Sequence, residues 1–392
     1  MVVTRDERMM AEAVKLGRLR KGRTAPNPAV GAVVAAGDRV LGKGFHERAG
    51  APHAEVVALA AAGEAARGAT LYVTLEPCTF EGKTPPCAPA VVRAGVKRVV
   101  LGTLDPHPRV AGKGAELLTE AGLEVKVGVR GRECRHLVED FAKAVTTGVP
   151  WVTAKFATSL DGKIATRTGE AAWITGEAAR RRAHRLRWEH AAVAVGAGTV
   201  KADDPRLTVR LRGRDVSDGP VRLVVSSRAA LPSRARLFDD SPGPPVWVAC
   251  TARARERDIA RLTRMGVEII MCEEDEGRVS LNHLLRELAA RGITSLLLEG
   301  GERLLGDFFD RDLVDRVAAF VAPKVIGGAR AKSPVGGRGV AYLADVKNLV
   351  EVRRRSLGDD VMVEGYLTNV DDLFAGVPRV RGVYNEGAGR GL

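Results

Sequence analysis

Strand-like and helix-like segments alternate along almost all of this chain, and that alternation restricts it to α/β architectures. From Val30 to about Val129, VGAVVAA and RVLGKGF read as strands paired about a turn at Gly37-Asp38. HAEVVALAAAGEAA then reads as an alanine-rich helix, TLYVTLE as a strand, CAPAVVRAG as a helix and KRVVLGTL as a strand, and GAELLTEAG and LEVKVGV continue the order. A second series begins at Trp151. Its strands are WVTAKFA, AAVAVG, VRLVVSS, PVWVAC, VEIIMC, SLLLEGG and DRVAAFVAP; its helices are GEAARRRAHRLRWE, RARERDIARLTRMG, LNHLLRELAARG and GERLLGDFFD. TTGVP, from Thr146 to Pro150, breaks the periodicity between them. A chain of 392 residues exceeds what one core supports. Two α/β domains are therefore expected, over residues 1–146 and 151–368. The Gly- and Arg-rich stretch at 369–392 is left as a tail without an assigned element.

Composition narrows the partners. A net charge of +13 suits anionic ligands, whereas 4% aromatic residues argue against a stacking platform for nucleic acid. No run approaches the roughly 18 apolar residues of a membrane helix. MVVTRDERMMAEAVKLGRLRKG lacks the apolar segment of a signal peptide. Five cysteines then read as reduced thiols in a cytoplasmic protein. No nucleic-acid or membrane partner is expected.

EPCTFEGKTPPC holds Cys78 and Cys87, each after a proline. His53 and Glu55 open the alanine-rich helix upstream. One imidazole and two thiolates supply three ligands, and a fourth position left to water makes an open zinc site. Pro77 and Pro86 each stand where a helix can begin, which would place both thiols at helix N-termini and favour the thiolates. A carboxylate at Glu55 can accept a proton from water polarised by the metal and pass it to a leaving amine. Positions i and i+2 share no face within a helix, so His53 and Glu55 converge only at a helix end. This is the H-x-E with P-C arrangement of zinc deaminases, with eight residues between the cysteines in place of two. The plainer alternative is a helix-capping His53 and a surface Glu55. Cys134, Cys250 and Cys272 lack partners at metal spacing and read as buried small side chains.

The long spacer, APNPAVGAVV before it and DPHPRVAGKG after it resemble the bifunctional deaminase–reductases of riboflavin biosynthesis, as do KFATSLDGKIA, WITGEAAR, VKADDPRLTVR and LLLEGGERL in the second half. The resemblance spans about residues 5 to 368. It implies a cytidine-deaminase-like three-layer α/β/α domain followed by a dihydrofolate-reductase-like α/β domain. It also implies Zn2+ and NADPH as cofactors and a phosphorylated pyrimidine ribosylamine as substrate. A homo-oligomer is expected. By this resemblance His53, Cys78 and Cys87 hold zinc, Glu55 moves the proton, and Asn27, His46 and Lys83 line the deaminase pocket. Asn27 read by itself is a turn residue, and Lys83 a solvated charge. The chain departs from the family pattern at Phe80, where a histidine is common, at His107, where DPNP is usual, and at Ala171, where a serine is frequent.

In the second half, the Gly300-Gly301 turn feeding a helix suits a pyrophosphate. Ser226, Ser227 and Arg228 end a strand in a way that suits an adenosine 2′-phosphate, and equally a solvated turn. Thr199, Asp203, Asp204 and Pro205 read as a compact polar loop. The resemblance assigns Ala157, Trp173, Thr199, Asp203 and Ser227 to the cofactor, and Arg187, Leu207, Arg210 and Glu299 to the substrate. Arg187 and Arg210 suit a bidentate grip on a phosphate, while Trp173 also fits a core position. No acid or base for a reduction stands out, which leaves water as the proton source. Two rivals remain at this level: a tRNA deaminase, favoured by the charge, and a related enzyme of a specialised pathway acting on a neighbouring pyrimidine.

Overall fold

The computed structural model describes residues 3–239, 243–378 and 380. The chain divides into two compact units, residues 1–148 with 370–392, and residues 149–369.

The first unit is a five-stranded sheet in the order β2-β1-β3-β4-β5. Its strands are β1 (Gly31–Ala36), β2 (Arg39–Phe45), β3 (Thr70–Leu75), β4 (Arg98–Thr103) and β5 (Glu124–Val127). β1 and β2 form the expected hairpin, β1 runs antiparallel to β3, and β3, β4 and β5 are parallel. Side chains of a strand alternate between faces. Ala32, Val34, Leu71, Val73, Val99 and Leu101 accordingly enter one core, with residues of α2 (Ala54–Ala62), α3 (Cys87–Arg93) and α4 (Lys113–Glu120). Val33, Ala35, Tyr72 and Val100 enter another, with Met10, Ala13 and Val14 of α1 (Arg5–Gly17) and Cys134 of α5 (Gly131–Leu137). The result is three layers. The sequence reading assigned no element to α5 or to α6 (Glu139–Thr147).

One close approach fixes where His53 and Glu55 fall. A Cβ at Gly44 would lie 2.3 Å from the Ala54 carbonyl oxygen, and one at Gly42 would lie 2.2 Å from that of Ala58. Glycine therefore lets α2 rest directly on β2, and this contact sets the position of the helix start that carries His53 and Glu55.

The second unit is a nine-stranded sheet in the order β10-β9-β8-β7-β13-β6-β14-β16-β15. Its long axis of parallel strands comprises β6 (Trp151–Ser159), β7 (Ala192–Gly196), β8 (Val221–Val225), β9 (Val246–Cys250), β10 (Glu268–Met271), β13 (Ser295–Leu298) and β14 (Arg316–Ala322). A small hairpin, β11 (Glu274–Asp275) with β12 (Arg278–Val279), stands apart from it. The helices are α7 (Glu177–Trp188), α8 (Ala197–Asp203), α9 (Glu256–Arg264), α10 (Leu281–Ala290) and α11 (Glu302–Asp310).

Three sequence expectations change. Thr199 and Asp203 lie in α8 rather than in a loop; Asp204, at φ +41°, ends it just ahead of Pro205. The sheet closes with an antiparallel hairpin, β15 (Val350–Leu357) and β16 (Asp360–Tyr366), that the sequence reading did not assign. β15 reads VEVRRRSL and is mostly exposed, so an edge strand guarded by charge hid its alternation. The described residues after Val370 form a short 3-10 turn, Val370–Phe374, and Phe374, Val377 and Val380 pack on the first unit's core. The remainder of the expected tail, residues 379 and 381–392, lies outside the described residues. Among the described residues, no helix is long and apolar enough to cross a membrane.

Candidate functional site

His53 holds the N-cap position of α2 with extended backbone (φ −75°, ψ 162°) and makes no side-chain cap bond. Its backbone has left the helix, so its ring and the Glu55 side chain are not bound to opposite helical faces. His53 Nδ1 lies 3.1 Å from Cys87 Sγ and 3.6 Å from Cys78 Sγ, while Nε2 meets Thr84 Oγ1 at 3.3 Å. The candidate ligand atoms of His53, Cys78 and Cys87 all fall within 4.8 Å of one another. Nδ1 is thus the nitrogen turned toward the two thiols and able to ligate a metal with them, and Thr84 orients the ring from the other side. Thr84 has no motif signal of its own, and the sequence reading passed over it.

Only one thiol sits at a helix start. Pro86 is the N-cap of α3 and Cys87 its first residue, whereas Cys78 lies in irregular chain after β3. Gly82 and the Pro85-Pro86 pair interrupt any helix beginning at Cys78. Cys78 gains its anionic character elsewhere. The Cys87 thiol donates to it, outweighing burial, and His53 and the Cys87 backbone N–H (3.4 Å) add to this, holding Cys78 well below the usual thiol range. The same bond, with burial and the nearby Glu55 carboxylate, pushes Cys87 up. The pair gives up one proton readily and the second reluctantly. Two thiolates and an imidazole around a dication resolve that cost, so the donor set fits zinc.

Glu55 is 3% exposed, and burial pushes its carboxyl up to about 7. A carboxyl poised there both accepts and releases a proton near neutrality. His46 Nδ1 lies 3.2 Å from the Pro52 carbonyl oxygen. A carbonyl only accepts, so Nδ1 carries the proton and Nε2 accepts from Asn27 Nδ2 at 3.1 Å. The His46 ring meets His53 edge-on, with centroids 5.0 Å apart. Lys83 is exposed on the loop between the cysteines and makes no ion pair among the described residues. Phe80 faces His107 from that loop, with ring centroids 5.9 Å apart. The buried Glu76 was also missed. Its carboxylate accepts from the backbone N–H groups of Asp105, Gly112 and Ala115, each at 3.0 Å.

In the second unit, positions assigned to a cofactor gather near the carboxyl ends of neighbouring parallel strands, where α/β sheets bind ligands. β6 is paired with β13 only as far as Ala154, so Lys155 and Ala157 lie beyond the end of β13. Thr199 follows β7, Ser227 follows β8, and Gly300 and Gly301 follow β13. Gly301 N–H donates to Thr199 Oγ1 at 3.1 Å. A Cβ at Gly300 would lie 2.9 Å from Leu304 Cδ2, and one at Gly301 would lie 3.2 Å from Thr199 Oγ1. The turn is a glycine cradle opening the N-terminus of α11, and it fits a dinucleotide pyrophosphate. Trp173 is 68% exposed under the Arg180 guanidinium, 4.8 Å from its centroid, so it is no core residue. Asp203 ends α8, where burial raises its carboxyl pKa.

The substrate positions form a charged cluster. Arg187 grips Glu299 through two bonds of 2.7 Å and donates to the Thr208 carbonyl at 2.9 Å. Its fork is therefore engaged by protein groups in this structure, in contrast to the open bidentate grip that the sequence suggested. Lys155 Nζ stands 3.9 Å from Glu299. Burial acts to raise the Glu299 pKa, yet the Arg187 and Lys155 charges outweigh it and hold the carboxylate at about 2. Burial also lowers Lys155 despite Glu299. Arg210 N–H donates to His184 Nδ1 at 3.3 Å, and burial with the Arg187 and Arg210 charges brings His184 down to about 4. Leu207 is buried at φ +57° in the loop that carries Arg210. Ala171 brings no polar atom. Lys155 lies inside a quoted motif and His184 inside an arginine-rich helix, and neither was singled out from the sequence.

Comparison with known proteins matches both halves. Residues 3–103 match the cytidine and deoxycytidylate deaminase zinc-binding region, and residues 150–363 match the RibD C-terminal domain. The chain is 42% identical to the riboflavin biosynthesis protein RibD of Aquifex aeolicus, over 91% of this chain and 97% of that one. It is 38% identical to RibD of Escherichia coli, over 91% and 98%. Acinetobacter baumannii RibD superposes with a TM-score of 0.82 at 36% identity, covering 94% of this chain and 100% of that one. A diaminohydroxyphosphoribosylaminopyrimidine deaminase/5-amino-6-(5-phosphoribosylamino)uracil reductase of Thermotoga maritima superposes at 0.79 with 36% identity, over 92% and 98%. The chain belongs to the RibD family of riboflavin biosynthesis, enzymes that carry a zinc-dependent deaminase and a reductase on one polypeptide.

Proposed function

We propose that the first unit deaminates 2,5-diamino-6-(5-phosphoribosylamino)pyrimidin-4-one and that the second reduces the ribosyl group of the product to ribityl with NADPH. The observation that carries this reading is the pairing, in one chain, of the His53–Cys78–Cys87 set beside buried Glu55 with a glycine cradle beside Arg187 and Glu299. The name of the Thermotoga relative supports the choice of substrate.

His53, Cys78 and Cys87 would hold zinc, which when bound supplies a Lewis acid that makes water a nucleophile near neutral pH. Glu55 takes the proton that water loses and delivers it to the departing amine. The ring carbon gains oxygen and ammonia leaves. Asn27 and His46 present polar groups to the pyrimidine. In the second unit, Gly300, Gly301 and Thr199 would hold NADPH, which when bound supplies a hydride. Opening of the ribosylamine leaves a carbon–nitrogen double bond at C1′; hydride reaches the carbon and a proton the nitrogen. Lys155, its pKa lowered by burial, is the protein's acid for that proton, and Glu299 holds it in place. Arg210 meets the phosphate.

We place this activity in the cytoplasm, in a homo-oligomer, with a small molecule and neither nucleic acid nor membrane as partner. Zinc-loaded protein given the diaminopyrimidinone should release ammonia, and should oxidise NADPH only after doing so. Absence of both reactions would refute the assignment.

A further inference from the structure

We propose that Phe80, His107 and Arg109 form a clamp for the phosphate of the deaminase substrate; this rests on the deaminase reading above. The Arg109 guanidinium lies over the Phe80 ring, 4.1 Å from its centroid. The ring face attracts the cation and restricts where it sits, while its N–H groups stay available. No carboxylate among the described residues pairs with Arg109. An exposed arginine seated on an aromatic ring, without an anionic partner among the described residues, is a site prepared for an anion.

His107 completes it. Arg109 N–H donates to His107 Nδ1 at 3.1 Å, so the imidazole proton sits on Nε2 as a further donor. The ring is flanked by Phe80 at 5.9 Å and by Phe141 at 6.5 Å. His107 N–H donates to Asp105 Oδ1 at 2.8 Å, and Asp105 N–H donates to Glu76 Oε2 at 3.0 Å. Glu76 immediately precedes Pro77-Cys78, so the clamp is tied to the chain that carries a metal ligand. Lys83 adds a charge on the same spacer as Phe80, against a single acid there, Glu81. A phosphate monoester fits better than the pyrimidine itself, because a planar cation with an adjoining N–H donor matches tetrahedral oxyanion edges. Phe80 and His107, the two departures from the family pattern in this pocket, thus act together: the aromatic ring positions an arginine and the facing loop supplies the imidazole.

The test compares ammonia release from the phosphorylated substrate and from its dephosphorylated ribosylamine, in wild type, Arg109→Ala, Arg109→Lys and Phe80→Leu. Losing a charged hydrogen-bond donor should raise KM for the phosphorylated substrate roughly tenfold or more in Arg109→Ala. Arg109→Lys and Phe80→Leu should show intermediate rises. KM and kcat for the dephosphorylated compound should hold, which is the check that the first unit is folded, and reduction of the deaminated intermediate should be unchanged. Equal effects on both substrates, or no effect, would overturn the clamp. Inorganic phosphate binding by calorimetry keeps the two proposals separable. The anion sites of the second unit contribute equally to both proteins, so if wild type binds one more equivalent of phosphate than Arg109→Ala, the clamp stands even in a protein that releases no ammonia; equal stoichiometry in both overturns it.

Discussion

Arg187 and Glu299 meet through two parallel hydrogen bonds, Nε to Oε1 and Nη2 to Oε2, each 2.7 Å long. Both side chains are largely buried, at 14% and 7% exposure, and Lys155 leans on the same carboxylate. The pair is therefore a buried ion pair, and in the proposed reductase site it would form part of the floor.

Removing one partner strands a buried charge. Glu299→Ala should destabilise the second unit by about 3–5 kcal/mol and abolish NADPH oxidation. Arg187→Met with Glu299→Leu should recover much of the stability without the activity. Urea unfolding alongside the NADPH assay checks both; recovery of activity in the apolar pair would refute the role of the carboxylate.

His184 gives the second unit a pH signature. Burial first, then the Arg187, Arg210 and Lys155 charges, with Glu299 opposing them, bring its pKa down from an ordinary 6.5 to about 4. The unfolded chain thus binds this proton first, and stability falls as pH drops from about 6.5 to about 4, then levels for this group. Glu299 adds a separate loss between about 4.5 and about 2. His184→Gln should flatten the upper window and leave the lower one. Thermal melts across pH 7 to 3 check this, and an unchanged profile would contradict it.

How much of this could be read from sequence follows from what each residue does. The alternating strands of both units were legible because their faces are buried, and the His53–Glu55 and Cys78–Cys87 set because metal chemistry leaves fixed residue types. β15 was not legible, since Arg353, Arg354 and Arg355 guard an edge and mask the period. The non-helical setting of Cys78 was missed because proline before cysteine marks a boundary without saying which kind. Thr84, Glu76, Lys155 and His184 gain meaning only from partners far along the chain: Glu76 from Asp105, Gly112 and Ala115, and Lys155 from Glu299.

Glu76 offers a test of that long-range support. Glu76→Gln replaces one accepting oxygen with an amide NH2 that faces backbone donors. A loss of about 1–3 kcal/mol in the first unit is expected, with lower ammonia release, retained zinc and unaltered NADPH oxidation on the deaminated intermediate. Unaltered ammonia release would show that the 105–115 segment does not need this anchor.

Cys87→Ser should empty the metal site, because an alcohol does not ionise as the thiol does beside zinc. Metal analysis should give a sharp loss of zinc, and ammonia release should vanish with it. Reduction of the deaminated intermediate should persist; its loss would mean that the two chemistries share the metal.

The central claim is that Glu55 moves the proton for one reaction while a separate site performs the other. The most direct measurement is ammonia release by zinc-loaded Glu55→Gln, with NADPH oxidation on the deaminated intermediate followed in the same sample. Bound zinc, no measurable ammonia and wild-type reduction are expected. Normal ammonia release from that variant would contradict it.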